Sequence, residues 1–157
     1  MAERLDFKGT VPEAYRAMLG LERVVHASTL EPPLLELVKI RASQINGCAF
    51  CLDMHTKDAR AAGEREDRIY LLPAWREAAF YTERERAALA WAEALTLLSE
   101  TGAPDEVYAE VSARFSPEEL VTLTLAIVAI NGWNRLEVGF RGEPGAYTPQ
   151  RGSSERP

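Results

Sequence analysis

The chain has 157 residues, 46% of them hydrophobic, and suits one domain that withdraws about 70% of its unfolded surface from water without a covalent staple. Its formal net charge is −6 with acidic and basic residues interspersed, so no basic patch marks a nucleic-acid surface. The longest apolar run, Leu123 to Ile130, falls short of the roughly 18 residues of a membrane span. The opening MAERLDFKGTVPEAY lacks the basic head and apolar stretch of a secretory leader, so a cytoplasmic protein without membrane contact is expected.

Helical punctuation recurs along the chain. Pro12 opens a first helix through Ala14, Met18 and Leu21, and Pro32-Pro33 opens a second, Leu34 to Ile45, which Asn46-Gly47 ends. A third starts at or near Cys48 and stops at Gly63. Arg65 to Ala79 carries a shorter pattern broken at Pro73. Thr82-Glu83-Arg84-Glu85 reads as a capping box for a long Ala/Leu-rich helix that ends before Gly102. Pro104 starts another short helix. Ser116 as N-cap, Pro117 at the first position and Glu119 at the third open a helix apolar almost all round through Ile130, and such a helix is expected to be central and buried. Apolar and polar residues nowhere alternate with period two, so the expected fold is all-α: a compact multi-helix domain with its core over about 5–141. Residues 142–157, rich in Gly, Pro, Ser and charge, read as a flexible tail.

Cys48 and Cys51 are the chain's two cysteines, and that count points away from a secreted disulfide framework toward a catalytic or metal-binding pair in a reducing compartment. On a helix, Cys48, Cys51, Leu52, His55, Ala59 and Ala62 share a stripe roughly 100° wide, while Asp53, Thr56, Lys57 and Arg60 face away. His55 follows Cys51 by four residues, the spacing at which helical side chains meet, so its imidazole is placed to take the thiol proton. Two arguments compete for the nucleophile. The positive helix end favours a thiolate at Cys48, and the adjacent base favours Cys51. Ordinary core cysteines, or a zinc site that two thiols and one His leave short of four ligands, are the alternatives to a redox pair.

Three further residues and one stretch stand out. Glu36 groups on its helical wheel with Lys39 and Ser43 in the most polar sector, which by itself reads as a solvated face. Arg41 lies among Leu34, Leu37, Val38 and Ile45, where a charge requires an acidic partner unless its head reaches water. His26 and the stretch Asn131-Gly132-Trp133-Asn134-Arg135, placed after the last buried helix, read as structural.

Glu36, eleven residues, then Cys48-x-x-Cys51-x-x-x-His55, within LVKIRASQINGCAFCLDMHTKDAR, resembles the signature of the AhpD-like alkylhydroperoxidases in the carboxymuconolactone decarboxylase superfamily. The similarity runs from Leu5 to about Arg141. It implies an all-helical domain that self-associates as trimers or hexamers and reduces hydroperoxides with no metal, haem or flavin. Cys51 then attacks the peroxide, Cys48 resolves the sulfenic acid, and Glu36 and His55 form a proton relay. The implied reductant is an external dithiol, a lipoyl-bearing protein being one candidate. Where the best-studied hydroperoxidase has a histidine just before the second cysteine, this chain has Phe50. The competing functions are lactone decarboxylation, for which the superfamily is named and which does not depend on a cysteine pair, and a non-catalytic redox sensor whose disulfide switches assembly.

Overall fold

The structure, a computed structural model, describes residues 2–149. Its helices are α1 (Phe7–Thr10), α2 (Pro12–His26), α3 (Pro32–Asn46), α4 (Ala49–Ala61), α5 (Glu66–Tyr70), α6 (Glu83–Thr96), α7 (Leu98–Thr101), α8 (Asp105–Ser112) and α9 (Pro117–Phe140), with a 3₁₀ turn at Leu72–Ala74. No strand occurs among the described residues, so the fold is all-α as the patterning predicts. None of these helices is long and apolar enough to cross a membrane.

The predicted caps form. Thr82 and Ser116 each accept from the backbone N–H three residues on while Glu85 and Glu119 return the favour, which satisfies donors that a helix start otherwise leaves open.

α3 is the centre of the molecule, packed against α4, α6 and α9. Leu34, Leu35 and Val38 join Trp91, Leu123 and Ile127 in one apolar cluster, and Leu37 and Ile40 join Leu72, Trp75 and Leu89 in another. Ala42 belongs to a third, with Cys48, Cys51 and Ile130. A helix enclosed on all sides has no solvated sector, so the polar wheel face of Glu36, Lys39 and Ser43 turns inward and each member finds a partner there. Arg41 is paired too: its Nε donates to Glu93 Oε1 at 2.7 Å. Burial pushes the Glu93 carboxyl up, but the Trp75 indole and the Arg76 and Arg41 guanidinium groups outweigh it and hold the group below its ordinary range.

Two expectations about helix extent and one about burial need correction. The long helix toward Gly102 breaks at Leu97, where the Thr101 hydroxyl donates to the Ala94 carbonyl and supplies a partner that continued helix would otherwise provide. The last helix does not stop at Ile130 but continues ten residues to Phe140, so Asn131, Trp133 and Asn134 lie inside it. Asn131 and Asn134 are weak helix formers; here Asn46 donates to both carboxamides, and Asn131 and Asn134 donate onward to Thr96 and Ser43, so tertiary bonds override propensity. Nor is α9 buried all round, since Val121 and Val128 are 61% and 53% exposed. Residues 142–149 lie along α4, where Tyr147 donates to Asp58, Lys57 donates to the Tyr147 carbonyl and the Gly145 N–H donates to Asp53. The rest of the expected tail, 150–157, falls outside the described residues.

Candidate active site

Gly47 ends α3 in the left-handed conformation (φ 65°, ψ 33°) that glycine adopts without steric cost, and this turn delivers Cys48 to the start of the next helix. Cys48 is the N-cap of α4: its sulfur accepts from the Cys51 N–H at 3.3 Å and lies 2.6 Å from Cys51 Sγ. Both thiols are 1% exposed. The hydrogen bond from the Cys51 thiol lowers the proton affinity of Cys48 against the cost of burial, helped by the Cys51 N–H and the Asn134 carboxamide. The same contact, with burial and the Cys48 charge behind it, pushes the Cys51 thiol well up. The contact between the two thiols, with the Cys51 N–H behind it, therefore makes Cys48 the one that ionises first.

His55 and Glu36 meet across α4 and α3. Nδ1 and Oε2 are 2.8 Å apart, with the side chains 7% and 15% exposed. Burial raises the Glu36 carboxyl, yet the His55 hydrogen bond and charge, with Lys39 and His26 beyond, win and hold it below 4.5. The solvated reading of Glu36 is thereby corrected. The sequence spacing also placed the imidazole against Cys51, but among the described residues no hydrogen bond joins His55 to either thiol; its partner is Glu36. Behind this pair, Lys39, 2% exposed, donates to Glu22 Oε2 at 2.7 Å, and the Trp133 indole donates to Glu22 Oε1.

The thiols and His55 do not gather as a three-ligand zinc set among the described residues. Glu36, His55 and Asp58 do bring one ligand atom each within 4.8 Å of one another, but Asp58 accepts from the Tyr147 hydroxyl and the other two bind each other. The four residues picked out in the sequence stand as two couples, Cys48 with Cys51 and Glu36 with His55, which α4 joins.

Sequence reasoning took Asn134 as structural and missed Glu137. Asn134 donates to Ser43 Oγ and bears on both thiols, and Glu137, a turn further along α9, adds a negative charge that raises both. Ending the helix at Ile130 concealed them. A glutamate inside the apolar run Leu136-Glu137-Val138-Gly139-Phe140 was the available signal, since a carboxylate among such neighbours is either exposed or employed.

Comparison with known proteins places this geometry. Over 93% of its length the chain superposes, with a TM-score of 0.89 and 48% identity, on the whole of a protein of unknown function from Agrobacterium tumefaciens suggested to be the antioxidant defence protein AhpD. The debrominase Bmp8 shares the fold alone, at 23% identity and a TM-score of 0.79, over 88% of this chain and 74% of that one. An uncharacterized Bacillus subtilis protein, YdfG, is 44% identical over 140 residues, 89% of this chain and 95% of its own. The model of the carboxymuconolactone decarboxylase family matches residues 12–94, more than half of the chain and a span that includes Glu36, both cysteines and His55. The chain belongs to the carboxymuconolactone decarboxylase family, on its AhpD-like side.

Proposed function

We propose that the protein reduces organic hydroperoxides by cycling Cys48 and Cys51 between dithiol and disulfide. One observation carries the reading: two buried sulfurs in hydrogen-bond contact, a helical turn from a buried carboxylate–imidazole pair. Family and fold support an enzyme of the peroxidase or decarboxylase kind, and the thiol pair favours the first.

Electrostatics and resemblance assign the cysteines differently, and a proton shift between them joins the two. The Cys48 thiolate accepts the Cys51 proton across their 2.6 Å contact. This exposes the more basic, hence more nucleophilic, Cys51 sulfur to the peroxide. As the S–O bond forms and the O–O bond breaks, the alkoxide leaves with a proton from His55, whose imidazolium Glu36 stabilises. Cys48 then displaces the hydroxyl of the Cys51 sulfenic acid, giving the disulfide and water. An external dithiol, a lipoyl-bearing protein among the candidates, reduces it. A homo-oligomer, trimer or hexamer, and a cytoplasmic location complete the proposal.

The test adds an alkyl hydroperoxide to reduced protein, counts thiols lost, and follows turnover with a dithiol for wild type, Cys48→Ser and Cys51→Ser. Wild type should lose both thiols and turn over; Cys48→Ser should stop at a sulfenic acid and Cys51→Ser should form none. A wild type that keeps its thiols would end the redox reading, and oxidation without turnover would favour a sensor.

A further inference from the structure

Glu137 is 4% exposed, and its Oε2 is the one buried side-chain nitrogen or oxygen among the described residues without a hydrogen-bond partner. An orphaned carboxylate oxygen is costly to bury, so its retention calls for an explanation in chemistry. Oε1 is held at 3.0 Å by Lys8 Nζ, which also sits 4.8 Å from the centre of the Phe50 ring, within the CxxC turn. Space for the carboxylate exists because residue 142 is glycine: a Cβ there would stand 1.8 Å from Oε2 and 3.5 Å from Phe50. The side chain is therefore seated between α1, the end of α9 and the start of α4. It lies one turn beyond Asn134 on the same helix.

We propose that Glu137 is a second proton-handling group for the thiol pair, on the side away from Glu36 and His55: it receives the proton of the thiol that closes the disulfide. The inference rests on the peroxide-reducing reading above. Having taken a proton from Cys51, Cys48 must lose it before attacking the sulfenic sulfur, and with both thiols 1% exposed an internal carboxylate is the acceptor at hand. Oε2 takes that proton as the S–S bond forms. It returns the proton to the hydroxide that leaves as the S–O bond breaks, so the carboxylate is unchanged and water is the product. The charge of Glu137 bears on both sulfurs, as an acceptor at this place requires.

Charged and titratable groups approach it from several elements. Lys8 on α1 is the cation in contact, and the two thiols stand at the start of α4. Arg4, before α1, is engaged by the Gly139 carbonyl, and Arg141 follows the end of α9. α2 brings Tyr15 and Glu22 to Trp133, and α3 offers Lys39, paired to Glu22, with the neutral Ser43 and Asn46.

Glu137→Gln keeps the shape and removes the acceptor. Sulfenic acid formation, trapped with a cyclic diketone after mixing with an alkyl hydroperoxide, should proceed in the variant as in wild type, while disulfide closure should slow at least tenfold and lose its dependence on an acidic group. Glu137→Asp, which keeps an acceptor on a shorter stem, should close the disulfide faster than Glu137→Gln. Closure in Glu137→Gln at the wild-type rate, or no gain in Glu137→Asp over Glu137→Gln, would overturn the inference. A wild type that forms no sulfenic acid would instead overturn the parent reading, and the two failures are read in different steps.

Discussion

Two carboxylates flank the thiol pair, and the molecule holds them in opposite ways. Glu36 stands between the two best-packed helices of the site, its Oε2 fixed to the His55 ring and Lys39 and His26 adding positive charge beyond. Glu137 is held from one side by Lys8, which comes from a four-residue helix and is 40% exposed, and its other oxygen has no partner. The difference is between a group fixed in place and a group left chemically open. A fully bonded carboxylate orients a neighbour, whereas one with a free lone pair in a dry site can itself take a proton.

Perturbing the fixed side should have the larger effect. His55→Ala removes the acid proposed to serve the departing alkoxide, and peroxide turnover should fall about 10²-fold or more, read as kcat/KM for an alkyl hydroperoxide. Lys39→Met should leave the buried Glu22 without its ammonium partner and cost about 3 kcal/mol in denaturant unfolding, so an unchanged midpoint would show that His26 and Trp133 carry the balance.

pH gives the next test. The Glu36 carboxyl is held below 4.5 in the folded protein, so the stability it contributes is fully present above that value and is lost as pH falls through its folded value. Glu36→Gln should therefore be less stable than wild type at pH 7, with the gap narrowing on acidification below about 4.5; a gap constant from pH 7 to 3 would contradict the pairing. On the open side, Gly142→Ala should cost only about 1 kcal/mol by pushing Oε2 from its seat, visible as a small drop in melting temperature. A larger loss would mean that the Glu137 side is as rigid as the other.

Most of the scaffold was legible because its signals are local. Proline at first positions, two capping boxes and glycine at Gly47 and Gly102 mark ends wherever a helix lies. What escaped depends on distant partners. The wheel of α3 misplaced Glu36, Lys39 and Ser43 because a wheel assumes a solvated side, and a helix surrounded by α4, α6 and α9 has none. The resemblance placed Glu36 correctly where periodicity did not. Asn131 and Asn134 suggested a helix end, and only their bonds to Asn46, Thr96 and Ser43 explain why α9 runs on. The pairing of Arg41 was foreseeable from its apolar surroundings, though Glu93, 52 residues away, was not identifiable as the partner.

Cys48 does two jobs with one sulfur, and that ties electron affinity to folding. While the pair is reduced, Sγ caps α4 by accepting the Cys51 N–H; once it is committed to a covalent bond its charge is gone, and the helix start loses an acceptor. A side-chain cap is worth about 1 kcal/mol, and for a two-electron couple that corresponds to roughly 20 mV. Capping favours the reduced state, so it shifts the couple in the oxidising direction. On the proposed cycle each turnover would loosen and retighten the first turn of α4, and the amide protons of that turn should exchange faster in the oxidised protein than in the reduced one.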